Sequence, residues 1–140
     1  MTKMQILKVL TAKRITGNAG EAAVARMLRR RGYKIVKRNF VAAGHEIDII
    51  AKNREYLCFI EVKTRTEGHS DMRESRPAAS VTAEKQRSII TAAREYLAAV
   101  QNPLKISFDV AEVIVNEKNK VISINYIDGA FTVNTAFNKR

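Results

Sequence analysis

The amino-acid sequence predicts a single α/β domain, and three observations predict it. Two apolar, β-branched runs, 44–51 and 56–65, flank the polar break Lys52-Asn53-Arg54-Glu55 and read as a β-hairpin. Two longer stretches, 19–31 and about 82–101, carry apolar side chains at helical spacing. A second alternating pair, 106–115 and 121–127, reads as another hairpin. At 140 residues and 46% hydrophobic content, the chain can bury one sizeable core and is too short for two. The expected division is a basic arm or helix over 1–16, a domain over 17–131 and a tail over 132–140.

Composition narrows the function classes. No apolar run approaches the ~20 residues needed to span a bilayer. The first residues lack the apolar core of a secretory signal, and the single cysteine, Cys58, forbids an internal disulfide framework. A cytoplasmic protein is the expectation, with no membrane partner. The net charge of +11 points to a polyanion. Charge alone does not choose between DNA, RNA and an anionic surface.

Met4, Ile6, Leu7, Val9 and Leu10 among Lys3, Lys8, Lys13 and Arg14 suggest a short basic amphipathic helix or an arm. A helix is expected over 19–31, with Asn18 and Glu21 as a capping box and Gly32 as its stop. Glu21 shares a side with Val24, Ala25 and Leu28, so it points towards the packed face. A strand is expected over 33–40. Between Ala22 and His45 lie Arg26, Arg29, Arg30, Arg31, Lys34, Lys37 and Arg38 with no acid. Such a run is explained by phosphate contact better than by a solvated face. Arg26, Arg29, Arg30, Lys34, Lys37 and Arg38, with Arg65 and Lys85, are the candidate nucleic-acid contacts.

The central hairpin carries the chemistry. Alternation puts Glu46, Asp48 and Ile50 on one face of the first strand, and Leu57, Phe59, Glu61 and Lys63 on one face of the second. An even-length turn merges the two faces. Carboxylates on strands this apolar are costly unless paired or bound to a metal. Hard cations such as Mg²⁺ take one or two carboxylates plus waters and substrate phosphate, and a nearby lysine can orient the water or stabilise phosphate charge. The bland alternative is an internal ion pair with Glu46 and Glu61 in solvent. His45 directly precedes the acids but is a lone loop histidine, and Cys58 faces away as a small buried hydrophobe.

After Arg65 a polar stretch runs to about residue 80 and is well placed to cover a substrate. Thr82 caps the second helix, whose apolar stripe is Ile89, Ile90, Ala93, Leu97 and Val100. Gln86 lies within that stripe, facing inward, and needs a hydrogen-bond partner. Lys85 sits at its edge, and Asn102-Pro103 ends the helix. Asp109 shares a side with Ala111 and Val113 and suits an anchoring role. The tail from Phe131 is expected to be partly disordered after Phe131 itself docks.

With Asp48 followed by Glu61-Val62-Lys63, the hairpin resembles the PD-(D/E)xK nuclease superfamily. Gly20-Glu21, Gly32-Tyr33, Arg38-Asn39-Phe40, Glu46 to Ala51, Phe59 to Arg65, Lys85-Gln86-Arg87 and Phe108-Asp109-Val110 carry a closer resemblance over 17–131. They are similar to the YraN-like family of predicted endonucleases, relatives of archaeal Holliday-junction resolvases. One departure is His45, where the family usually has a second glycine before Glu-Ile-Asp. The resemblance implies a restriction-endonuclease-like fold, a central mixed sheet flanked by helices. It also implies Asp48 and Glu61 as ligands of Mg²⁺ or Mn²⁺, Lys63 assisting the water, Glu21 as an accessory acid and Gln86 bordering the site. The function expected is a metal-dependent endonuclease acting on DNA, with branched or recombination intermediates as candidate substrates and subunit pairing left open. The alternatives are a non-catalytic nucleic-acid-binding module with a vestigial site and an RNA- or ribosome-associated accessory protein.

Overall fold

The computed structural model describes residues 2–68 and 81–137, without the side chains of 8–17. The elements are α1 (Lys3–Arg30), β1 (Lys34–Ala42), β2 (His45–Lys52), β3 (Tyr56–Thr66), α2 (Ala83–Ala99), β4 (Lys105–Val115), β5 (Val121–Phe131) and α3 (Val133–Phe137). The five strands form one mixed sheet in the order β1-β2-β3-β4-β5. β3 and β4 are parallel and the other neighbours antiparallel. The parallel step requires a crossover, which α2 supplies.

Both sheet faces are covered, which is why β3 is apolar nearly throughout its first half. On one face Val24, Ala25 and Leu28 of α1 pack on Ile49, Ala51, Cys58, Ile60, Ala111, Val113 and Val115. On the other, Ile89, Ile90, Ala92 and Ala93 of α2 pack with Ile50, Leu57, Phe59, Phe108 and Val110. Phe59, Phe108 and Phe131 stack in sequence, at centroid separations of 5.6 and 5.3 Å.

Two sequence expectations are corrected. Helix α1 does not begin near residue 19: it runs unbroken for 28 residues, and its capping box is Thr2 with Gln5. Glu21 is therefore an interior helix residue. No proline interrupts the stretch, and Asn18 and Gly20 lower helix propensity by too little to stop a helix that packing sustains on its far side. The tail is ordered further than expected. Phe131 ends β5, buried and paired with Phe108, and α3 follows with Ala136 in the core. The polar stretch expected over the site falls mainly on 69–80, outside the described residues.

Gly20 is required where it stands. A Cβ there would collide with the Thr64 hydroxyl of β3, so its absence sets how closely α1 approaches the sheet. Thr82 caps α2 as expected, accepting from the Lys85 amide at 3.1 Å.

Candidate active site

The site forms where β2 and β3 part. Their pairing runs from Lys52↔Leu57 to Ile49↔Ile60 and stops there. In the gap beyond, Asp48 Oδ2 accepts the Val62 amide at 2.8 Å. On the other side of β2, the pairs Arg38↔Ile49 and Phe40↔Ile47 bracket Asp48 and set Asn39 opposite it. Asn39 has φ +52°, the left-handed region that asparagine tolerates better than most side chains.

Side-chain alternation slips at this level. Ile50 faces α2, and Ile47, three residues away, packs into the same cluster, while Ile49 packs under α1. Glu46 consequently does not share a face with Glu61, as uniform alternation required. Its Oε1 accepts the Asn39 amide at 3.1 Å, beside Glu21 of α1, whose Oε1 accepts the same amide at 2.8 Å. Asp48 sits between the two sides, in contact with Glu61 and within the field of Glu21.

The charges are not balanced. Burial, then the hydrogen bond and like charge of Glu61, push the Asp48 carboxyl up to about 8, against the lowering effect of the Val62 amide. Glu61 is 5% exposed, and its Oε2 has no hydrogen-bond partner. Lys85 Nζ lies 3.6 Å from that oxygen, an ion pair beyond hydrogen-bond range. Glu21 is also raised, by burial first and then by Asp48, while the Asn39 bond and Arg38, at 3.9 Å, oppose the shift. A protonated Asp48 sharing a site with an under-satisfied carboxylate suits a hard divalent cation, which would replace the proton. Among the described residues no three His, Cys, Asp or Glu side chains gather as a ligand set. The carboxylates that could hold a cation are the pair Asp48 and Glu61.

Lys63 lies two residues beyond Glu61 on the same face of β3, half-buried and in register with Glu112 of β4. Among the described residues Gln86 makes no hydrogen bond to an acid. Its Nε2 donates to Val81 O at 3.0 Å, so its inward-facing amide serves the entry to α2. Neighbouring Arg87 is likewise structural, donating to Ala136 O of α3 at 3.1 Å. Glu112 had no sequence signal beyond its charge. It pairs with Arg65 at 3.6 Å, and its Oε2 is buried without a hydrogen bond.

The basic candidates separate into groups. Arg26 and Arg30, joined by Arg31, line a groove between α1 and β5 floored by Ala23, Met27, Val121 and Ile124. Arg29, Lys34 and Lys37 are exposed and outside that groove. Arg38, Arg65 and Lys85 face Glu21, Glu112 and Glu61. Asn39 was visible in the sequence only as part of a motif; counting the β1–β2 register back from the turn at Gly44 would have placed it opposite Asp48.

Two other polar residues are structural. Asp109, 1% exposed, accepts from Ser107, Tyr126 and the Gly129 amide, which satisfies it fully. Burial and Asp109 hold the Cys58 thiol protonated, so it is no nucleophile. A hollow of about 830 Å³ lined by Tyr33, Tyr56, Leu97, Phe108 and Phe131 includes none of the candidate catalytic residues.

The profile of the uncharacterised protein family UPF0102 matches residues 20–113, which span every carboxylate of the site. A UPF0102 protein of Chlorobaculum tepidum is 41% identical over 89% of this chain and 97% of its own. One of Caldicellulosiruptor saccharolyticus is 40% identical over 85% of this chain and 98% of its own. Among solved structures, an fdxN element excision controlling factor protein from Anabaena variabilis is 13% identical, with a TM-score of 0.41 over 76% of this chain and 98% of that one. A likeness that low carries no argument about function.

Proposed function

This chain belongs to the uncharacterised protein family UPF0102, and we propose that it is a metal-dependent endonuclease of the PD-(D/E)xK type with a restriction-endonuclease-like fold. The observation that carries the reading is the Asp48–Glu61 pair, two neighbouring carboxyls, Glu61 buried and Asp48 part-buried, with Glu61 Oε2 lacking a hydrogen bond. A purely structural pair would be satisfied internally. Asp48 and Glu61 would hold Mg²⁺ or Mn²⁺. Such a cation supplies Lewis acidity at a phosphoryl oxygen and acidifies a bound water.

The chain's own residues do the rest. Lys63, on the same face as Glu61, holds the attacking water or the charge on the phosphate. Glu21 contributes negative charge from α1 beside Asp48. Gln86 supports the site indirectly, by holding the first turn of α2 from which Lys85 reaches Glu61. The basic surfaces of α1 and β1 bind nucleic acid through its phosphates, and DNA is the first choice of substrate.

One observation favours a second reading, a binding module without catalysis: Lys85 already supplies Glu61 with a counter-charge. A nuclease assay separates the two. Linear, nicked, flapped and four-way-junction DNA, with matching RNA, are incubated in Mg²⁺, Mn²⁺ or EDTA. The expected outcome is metal-dependent cutting by the parent protein, abolished in Asp48→Asn and Lys63→Ala. Asp48→Asn retains or tightens nucleic-acid binding, because it removes a charge that repels phosphate. Equal binding with and without metal and no cutting on any substrate would replace the enzyme with the binding module.

A further inference from the structure

We propose that Asn39 is the positioning residue of this centre: its amide pins Glu21 beside Asp48 and turns Glu46 away from the cation ligands. The inference rests on the metal-site reading above and goes beyond it, since it concerns a residue that touches neither ligand's coordinating role.

Three observations meet at this side chain. Asn39 is opposite Asp48 in the β1–β2 register, at the level where alternation slips. Its backbone is left-handed, φ +52°, in the middle of a nine-residue strand. An extended residue there would carry β1 through with uniform alternation, and Glu46 would then join Asp48 on one side of β2. Its Nδ2 also donates to Glu21 Oε1 at 2.8 Å and to Glu46 Oε1 at 3.1 Å. An amide nitrogen carries two hydrogens, so these two bonds use its whole donor capacity.

The bridge solves an electrostatic problem. Glu21, Glu46 and Asp48 come from two elements and repel one another. Arg38, at 3.9 Å and on the surface, offsets little of that repulsion. A neutral double donor joins two of the acids without filling the space a cation would take. Arginine or lysine at this position would instead neutralise the field that attracts the cation.

The test is a double-mutant cycle on Mn²⁺ affinity, measured by titration calorimetry, with melting temperature recorded in EDTA. Asn39→Gly keeps the left-handed backbone and removes only the amide. It is expected to melt close to the parent and to bind Mn²⁺ about ten- to a hundredfold more weakly, the usual effect of removing a group that orients a metal site. Glu21→Gln is expected to weaken Mn²⁺ comparably. Adding Asn39→Gly to Glu21→Gln should then cost little more, because the amide acts through Glu21. Glu46→Gln should cost a small fraction of the Glu21→Gln effect.

Fully additive losses would overturn the proposal, as would parent-like Mn²⁺ affinity in Asn39→Gly. A Glu46→Gln loss equal to that of Glu21→Gln would overturn it without any change at Asn39. Asn39→Ala separates backbone from amide: it should melt lower than Asn39→Gly while losing the same Mn²⁺ affinity. These results are distinct from failure of the metal-site reading, which would appear as a parent protein that does not bind Mn²⁺.

Discussion

Asp48 links protons to stability and, on the proposed reading, to a cation. Its folded pKa is raised from an ordinary 3.8 to about 8, so between those values the folded chain holds a proton that the unfolded chain has released. The contribution of Asp48 to stability is therefore fully present below about pH 4 and is lost as the pH rises through about 8. On the proposed metal-site reading a divalent cation would reverse the trend, since it would bind the deprotonated form. Thermal melts in EDTA should show a melting temperature falling from about pH 6 to about pH 8. The rise caused by Mg²⁺ should be larger at the higher pH. Asp48→Asn should flatten the EDTA profile over this window, because asparagine can still accept the Val62 amide yet has nothing to titrate. An Asp48→Asn profile as steep as the parent's would assign the pH dependence to another group.

At the scale of elements, the site depends on how α1 seats on the sheet. Glu21 is one residue from Gly20, and Gly20 lies against Thr64, which follows Lys63 on β3. Gly20→Ala should lower stability although alanine is the better helix former. The added methyl must displace Thr64 or lift α1, and overpacking of this kind costs ~1–3 kcal/mol, against up to ~1 kcal/mol gained in helix propensity. Pairing it with Thr64→Ala, which clears the colliding hydroxyl, should restore most of the loss. Chemical denaturation of the single and double variants measures both. A Gly20→Ala protein more stable than the parent would mean that α1 can rise off the sheet without cost.

For the whole molecule, the excess of 25 basic over 14 acidic residues, a net +11, predicts strongly salt-dependent binding to nucleic acid. Neutralising roughly four to six phosphates gives a slope of log K against log[salt] of about −4 to −5. The α1–β5 groove should account for much of it. Among the described residues, Arg26, Arg30 and Arg31 have no carboxylate partner. Replacing all three by glutamine should make the slope shallower by about 2.7 for duplex DNA, three contacts at about 0.9 each. Fluorescence anisotropy titrations over a salt series read this directly. A slope that does not change would mean that these three arginines do not contact phosphate.

Much of this protein was legible in its sequence because the relevant signals are local. Period-2 and period-3.6 patterns set the class, the two hairpins and α2 with its Thr82 cap. An even-length β2–β3 turn was enough to bring Asp48 and Glu61 to one face; that they stand at the same level came from the pairing, which ends at Ile49↔Ile60. Composition set the charge, whatever the fold. What periodicity could not convey was decided by tertiary contact. The start of α1 moved back to Lys3, where Thr2 and Gln5 form the capping box, since a cap-like residue such as Asn18 inside a helix costs only a fraction of a kcal/mol and need not end it. Gln86 turned to Val81, whose backbone carbonyl accepts its amide at 3.0 Å. The separation of Glu46 from Glu61 was beyond any pattern count. Alternation assumes an unbroken ladder, and here β2 parts from β3 beyond Ile49 while Asn39 adopts a left-handed turn on the other flank. The identity of the acids is a property of the chain; which of them face each other is a property of the sheet, because strand pairing, and not sequence spacing, sets the direction of each carboxylate.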